Sequence, residues 1–397
     1  MKVLQLNSVC GKGSTGRIAT DIYDLLLSKG DECLIAFGRD TAPEGVDSYK
    51  FNTDLGVKLH GVVSRINDRQ GFLSNCATKK LIKKIIQYSP DIIHLHNIHG
   101  YYLNVKLLFR FLAKYNRPIV WTLHDCWAVT GHCAYFSFAE CDKWKETCKN
   151  CSQKRSYPAS ILLDNSGKNH KDKKKLFTMP DDITLVTPSY WLEGVIKESF
   201  LSKYPVKTIY NGIDLDVFKP TKSDILKKLG TEGKKVILGV ANIWEKRKGF
   251  EAFLKLSEII SDEYVIVLVG LSEAQISMLP KNIIGIKRTE NIEELVRLYS
   301  AAEVYVNTSV EETMGLTTVE ALASGTPAIV YDKTAVPEIV SDKSGIIVKA
   351  GDIEGLYEAI QNLNIKSDDC INRAKDFEKD MQYGKYYSLY KEILSGK

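Results

Sequence analysis

At 397 residues the chain exceeds what one hydrophobic core organises, and at roughly 100–200 residues per domain it implies two domains. A composition 44% hydrophobic and 26% charged excludes pervasive disorder, and no stretch reaches the ~18 uninterrupted apolar residues of a membrane-spanning helix. With 54 Lys+Arg against 49 Asp+Glu the net charge of +5 is too mild to argue for nucleic acid, and the opening MKVLQLNSVCGKGS lacks the features of an export signal, so a cytoplasmic protein is expected.

Residues 3–9 (VLQLNSV) read as a buried strand, followed by a Gly-rich turn and a helix in which Ile18, Ile22, Leu25 and Leu26 recur at helical spacing before Gly30, a C-cap. Strands at 32–38, 91–98 and 118–125, a helix at 104–115, and a strand at 184–189 with its helix at 190–199 complete one doubly wound half. Two insertions, residues 41–90 and 126–180, interrupt it and read as irregular segments of functional or mobile character. After NGIDLDVFKP (211–220) the alternation restarts, with strands at 236–242, 264–270, 283–289, 304–309, 327–332 and 345–350 and helices at 250–260, 291–302 and 316–324. Such βα alternation specifies parallel sheets, so the predicted class is α/β with two Rossmann-like doubly wound domains facing across a cleft. The predicted domains are residues 1–213 and 214–378, with the linker near Pro220 and a closing amphipathic helix in residues 379–397 that returns to the first domain. In open parallel sheets ligands bind beyond the carboxyl ends of the strands, so chemistry is sought just after each one.

Gly11, Gly13 and Gly16 form a G-x-G-x-x-G between a strand and a helix, with Asp40 near the end of the second strand. That pattern admits a nicotinamide-dinucleotide site, a plain tight turn capped by Ser14 or Thr15, or backbone N–H groups at Gly13 and Gly16 that receive a phosphate or sugar. In the second half Glu312 follows a strand and Glu320 stands eight residues later in the next helix, with Gly315 and Leu316 between them. Carboxylates accept sugar hydroxyls and a helix N-terminus donates to a diphosphate, so this arrangement suits a nucleotide sugar; two solvated glutamates are the plain alternative. Arg247 and Lys248 follow the first strand of that half, where cations would stabilise a leaving diphosphate; an exposed basic face is their ordinary reading.

His124 and Asp125 end the strand 118–125, and His94, His96, Asn97, His99, Tyr101 and Tyr102 follow or close the strand before it. Rings that stack and side chains that hydrogen-bond fit an acceptor saccharide, although His94 and His96 share a strand face that equally suits a core. Cys133, Cys141, Cys148 and Cys151 cluster in the second insertion; a structural zinc, free buried thiols and disulfides are the three readings of that spacing. Lysine clusters at 79–84 and 168–175 suggest weak peripheral membrane contact, or simply solvated faces.

The run from Glu312 through Glu320 into Ala321-Leu322-Ala323-Ser324-Gly325-Thr326-Pro327 resembles the donor-site signature of glycosyltransferase family 4, retaining enzymes of the GT-B fold. The resemblance extends over nearly the whole chain: Gly16-Arg17, His124-Asp125, Asn211-Gly212-Ile213-Asp214, Lys248-Gly249 and Pro337-Glu338-Ile339-Val340 all fall in the family's order. It implies that Glu320 binds the nucleotide ribose, Glu312 the sugar ring, the backbone at Gly315 and Leu316 the diphosphate, and His124 the region of the transferred sugar. It further implies front-face attack assisted by the donor phosphate, with no covalent carboxylate and no cofactor required. Two departures stand out. The family's Arg several residues before Lys-Gly is replaced by Ala241-Asn242, with Arg247 adjacent to Lys248, and its Gly pair before the late Pro-Glu is replaced by Thr334-Ala335-Val336.

The function expected on these grounds is transfer of a hexose from a UDP- or GDP-linked sugar to a saccharide or lipid-linked oligosaccharide in surface polysaccharide synthesis, at the inner face of the cell membrane. A sugar-nucleotide epimerase of the same fold is the alternative, followed by a NAD-dependent oxidoreductase and a non-catalytic sugar-binding protein.

Overall fold

The computed structural model describes residues 1–396, in two compact units: Met1–Tyr210 together with the segment from Gln382 onward, and Asn211–Met381. In the first unit a seven-stranded sheet is built from β1 (Lys2–Asn7), β2 (Glu32–Phe37), β3 (Ser48–Lys50), β4 (Ile92–Leu95), β5 (Ile119–Thr122), β6 (Ile183–Thr187) and β7 (Val206–Thr208), in the order β3-β2-β1-β4-β5-β6-β7. Every pair is parallel, with Lys2 opposite Glu32 and Val3 opposite Ile92.

Both faces of this sheet are covered, which is why its strands read as continuous apolar runs. Successive residues of β1 point to opposite faces: Leu4 and Leu6 enter the core containing Trp121, Phe109 and Phe177, whereas Val3 enters the core containing Ile18, Ile22 and Leu26. The second face is closed by Tyr383, Tyr386, Leu389 and Tyr390 of helix Lys379–Ser395, which carries the chain from the second unit into the first.

The second unit holds β8 (Lys235–Val240), β9 (Tyr264–Val269), β10 (Ile283–Ile286), β11 (Val304–Asn307), β12 (Ala328–Tyr331) and β13 (Gly345–Val348), all parallel, in the order β10-β9-β8-β11-β12-β13. In each sheet the chain reverses its direction of winding once, between β1 and β4 and between β8 and β11, and these are the points at which doubly wound sheets place ligands.

Some expectations change. Residues 41–90 are not irregular: they contain β3 and two helices, Asp54–Asn67 and Asn75–Tyr88. Tertiary burial of Leu81 and Ile85 stabilises the second of these despite four lysines in its sequence. Residues 126–180 comprise two short 3-10 turns and then helix Ser166–Phe177. Helix Gly13–Ser28 begins with Lys12 in the cap position, so Ser14 and Thr15 lie inside the first turn and do not cap it.

Candidate active site

In the second unit the loops after β8 and β11 meet. Residues Lys246–Lys248 form a 3-10 turn ending at Gly249, whose φ is +75°. A β-carbon at Gly249 would stand 2.3 Å from the Thr308 carbonyl oxygen, so only glycine lets this turn press against the end of β11. Thr308 Oγ1 donates to the carbonyls of Lys248 and Gly249, and the Val310 N–H donates 2.8 Å to the Arg247 carbonyl.

This contact brings both cations to Glu312. Lys248 Nζ forms a short ion pair with Glu312 Oε1, and Arg247 Nη1 lies 3.9 Å from Oε2 while donating 3.1 Å to the Glu311 carbonyl. These side chains are largely buried, Glu312 at 14% exposure and Arg247 at 12%. On the far side Glu312 is tied to the loop after β12: its N–H donates 2.9 Å to Thr334 Oγ1, and its carbonyl accepts from Ala335. Thr334 has φ +53°, so it holds the left-handed conformation that the resemblance associates with glycine.

Helix Leu316–Ala323 starts at Gly315 (φ +102°), without a side-chain cap and without an acidic residue in its first turn, and the Thr318 N–H of that turn donates 2.9 Å to the Gly315 carbonyl. Glu320 projects from the same helix and accepts a 2.8 Å hydrogen bond from the buried Tyr299 hydroxyl. Burial, with the charges of Glu312 and Glu320 adding to it, holds the Tyr305 hydroxyl far above its ordinary pKa, while it donates 2.8 Å to Thr317 Oγ1.

In the first unit the residues after β4 and β5 also meet, but in two sets. His99 Nε2 bonds Asp125 Oδ2 at 2.8 Å, His99 Nδ1 lies 3.2 Å from the Tyr157 hydroxyl, and Asp125 Oδ1 accepts the Trp127 N–H at 2.9 Å. Tyr101 stands edge-on to Tyr157 with ring centroids 6.4 Å apart. Asp125 thus pairs with the His99 ring and with the turn that follows it. The half-buried Asn97 receives the Tyr102 hydroxyl on its carbonyl at 2.6 Å.

The second set is a chain of buried groups behind His124. Gln5 Nε2 donates 2.9 Å to the Ala19 carbonyl, which fixes the amide with Oε1 toward His96 Nε2 at 2.9 Å. His96 Nδ1 then lies 3.1 Å from His124 Nε2. Since Gln5 Oε1 only accepts, His96 carries its proton on Nε2, and His124 Nε2 must donate to His96 Nδ1. Burial keeps both rings neutral, lowering His124 to about 4 and His96 well below its usual value. His124 is thereby held as its Nε2–H tautomer. His96, expected at an acceptor, is only 1% exposed and stands behind His124, because its strand face is a core face. His94 is fully buried as well, bonded to Thr122 at 2.8 Å and to Tyr390 at 2.6 Å.

Gly13 (φ +63°) has open space where a β-carbon would project, whereas Gly16 packs on Gly11, whose N–H donates 3.1 Å to the Gly16 carbonyl. The motif is thus part exposed backbone at a helix start and part close-packed turn. Cys133, Cys141, Cys148 and Cys151 all line one small void with His132 and Trp144, and among the described residues all nine cysteines are free thiols. A hydrogen bond from Cys133 draws the Cys151 thiol below its ordinary value. Among the described residues no group of three or more His, Cys, Asp or Glu is spaced to hold a metal ion.

Sequence reasoning missed Gln5, Tyr299 and Tyr157, and marked Thr334 only as a departure from the family's glycine pair. Only Gln5 had a signal, a polar residue inside an otherwise apolar buried strand.

Two doubly wound parallel sheets, with a basic turn, a carboxylate and an uncapped helix N-terminus gathered at the winding reversal of the second, define a GT-B glycosyltransferase architecture. A family model described as Glycosyltransferase Family 4 matches residues 15–217 and one described as Glycosyl transferases group 1 matches residues 234–364; the chain belongs to glycosyltransferase family 4. It is 26% identical over 259 residues to WcaC of Escherichia coli (strain K12), a protein assigned to glycosyl transfer in colanic acid biosynthesis, covering 61% of this chain and 62% of WcaC. The chain thus spans less than two thirds of that relative's length. In fold it resembles a sucrose-phosphate synthase from Thermosynechococcus elongatus (TM-score 0.73, 15% identity, all of both chains covered). It likewise resembles Anabaena HepE in complex with UDP-glucose (TM-score 0.65, 18% identity, all of both chains covered).

Proposed function

We propose that the protein is a retaining hexosyltransferase that moves a sugar from a UDP- or GDP-linked donor to a saccharide or lipid-linked oligosaccharide during surface polysaccharide assembly. The observation that carries this is the Glu312 carboxylate, held by Lys248 and Arg247 beside the glycine-capped start of helix Leu316–Ala323. A donor needs acceptors for its sugar hydroxyls and fixed positive charge for its diphosphate, and this cluster supplies both within one unit. Glu312 receives the sugar hydroxyls, Arg247, Lys248 and the helix N–H groups take the diphosphate, and Glu320, braced by Tyr299, takes the ribose. The HepE complex with UDP-glucose and the colanic acid assignment of WcaC support a nucleotide-sugar donor and a polysaccharide setting.

On the first unit we assign the acceptor to Asn97, His99, Tyr101 and Asp125, with His124 at the transferred sugar and Gly13 and Gly16 near the donor. Developing charge on the leaving diphosphate is met by preorganised cations, and the donor phosphate takes the acceptor proton. No metal is needed for these steps. A structural zinc at the four clustered thiols would require them to draw together around the void they line, since as placed they are not spaced for a metal ion; metal analysis of protein purified without chelators tests for it, and finding none removes that reading.

A thermal-shift panel of UDP, GDP, ADP and their sugars tests the donor site. At least one nucleotide is expected to stabilise the chain, Glu320→Gln to weaken that shift, and Glu312→Gln to abolish transfer while leaving nucleotide binding. Indifference to every nucleotide would sink the reading. Conversion of the donor sugar without an acceptor would establish an epimerase instead.

A further inference from the structure

Helix Asp54–Asn67 holds four aliphatic side chains in water: Leu55 (77% exposed), Leu59 (62%), Val62 (53%) and Ile66 (47%). Their spacing of four, three and four residues makes a single stripe along the helix. At its C-terminal end the exposed apolar residues 161–163 continue the stripe, because the Ile161 N–H donates 2.6 Å to the Arg65 carbonyl and the Leu163 N–H donates 3.1 Å to that of Ile66. Isolated exposed leucines are ordinary, but two adjoining apolar segments form a patch of the kind that marks an interaction site.

The exposed charge around the patch is largely of one sign. Lys58 and Arg65 stand exposed on the helix, Arg155 is exposed, and Lys154 Nζ donates 3.2 Å to the Leu162 carbonyl. Asp54 at the helix start is paired with Lys50 at 2.7 Å, and Asp164 accepts the N–H groups of Cys151 and Ser166. The inner face of the same helix reaches the assigned acceptor residues: buried His60 stands edge-on to Tyr101 with centroids 5.9 Å apart, and Gly61 packs toward the same ring.

We propose that this patch seats the first unit on an anionic lipid surface, with helix Asp54–Asn67 lying in the interface, its aliphatic stripe among the acyl chains and Lys58, Arg65, Lys154 and Arg155 at the headgroups. A helix with an apolar stripe and basic flanks is suited to lie in a bilayer interface. No helix among the described residues is long and apolar enough to cross a membrane. A second copy of the chain fits less well, because a two-fold contact on this patch would bring its basic borders together. The inference builds on the proposed lipid-linked acceptor and places the source of that acceptor beside Tyr101.

The test floats the full chain with vesicles of phosphatidylcholine alone and of phosphatidylcholine mixed with phosphatidylglycerol. The wild type is expected to float with the mixed vesicles and to lose that preference at high salt. Leu55→Ser with Leu59→Ser, at exposed positions where substitution spares the fold, is expected to weaken partition roughly tenfold. Lys58→Glu with Arg65→Glu is expected to remove the anionic preference, and circular dichroism checks that each variant folds. A wild type that stays out of both vesicles, or a Leu55/Leu59 variant that floats as well as the wild type, overturns the proposal. Self-association lost in the Leu55/Leu59 variant, without flotation, also overturns it and assigns the patch to a second copy. Because no nucleotide sugar is present, flotation without transfer activity would refute the catalytic reading alone, and transfer to a soluble acceptor without flotation would refute this one alone.

Discussion

His124 illustrates how little of a residue's role its own identity fixes. Its tautomer is set two residues away through His96 and Gln5, so any hydrogen bond from its Nδ1 is made as an acceptor. Replacing Gln5 with Leu removes the group that orients His96. We expect both tautomers of His124 to appear in nitrogen-15 spectra of histidine-labelled protein, whereas the wild type shows one; a single unchanged tautomer in the variant would refute the relay. Acid stability follows from the same burial. His60 and His124 are lowered to about 4, and His94 and His96 lie well below 6.5, so the unfolded chain binds protons that the folded chain refuses. Stability is therefore full above pH ~6.5 and declines as pH falls toward ~4, opposed only in part by His132, whose bond to Asp68 raises it. Urea unfolding at pH ~5 is expected to show a lower midpoint than at neutral pH; an equal midpoint would mean these rings are not held neutral.

At the scale of elements, the proposed donor cluster depends on two loops meeting at the winding reversal of a sheet. Gly249→Ala combines a left-handed φ with a β-carbon 2.3 Å from the Thr308 oxygen, so the basic turn must move away from Glu312. A cost of about 1–3 kcal/mol is expected, with a weaker nucleotide shift; both are read in one thermal titration. An unchanged titration would show that the turn's contact with β11 is not what places Lys248. The insertion at residues 126–180 behaves differently. Lys173 of helix Ser166–Phe177 is buried, donates to the Trp127 and Thr130 carbonyls at 2.6 and 3.0 Å, and lies over the Trp127 ring at 3.4 Å. It fastens the helix to the thiol-lined segment. Lys173→Met removes both bonds and is expected to destabilise the chain by about 2–3 kcal/mol, whereas Lys174→Met, at an exposed position, is nearly neutral. Comparable losses for the two variants would contradict that anchoring role.

For the whole molecule, helix Lys379–Ser395 completes the first unit from the far end of the chain. Tyr390 bonds His94 at 2.6 Å and Tyr386 bonds Thr122 at 3.0 Å, with both rings buried in the sheet's second core. Tyr386→Ala is expected to cost about 3–5 kcal/mol and Tyr390→Phe about 1 kcal/mol, measured by chemical denaturation. A negligible effect of Tyr386→Ala would show that the helix merely rests on the unit.

The parallel α/β class was legible because strands buried on both faces must be apolar throughout, as in VLQLN and YVIVLV, and their alternation with amphipathic segments leaves few other folds. Glu312, Arg247 and Lys248 were singled out because a negatively charged, hydroxyl-rich donor would call for carboxylates and cations, and the structure gathers these three side chains into one cluster. Helix Asn75–Tyr88 was not, since its lysines obscure the apolar face that only packing reveals. The support of Glu312 by Thr334, the retreat of His96 behind His124, the pairing of Asp125 with His99 and the exposed stripe on helix Asp54–Asn67 were likewise decided by tertiary structure. Each depends on which side of an element faces the core and on partners distant in the chain. Local sequence fixes periodicity and chemical type, but which face is buried is settled only when the sheets close.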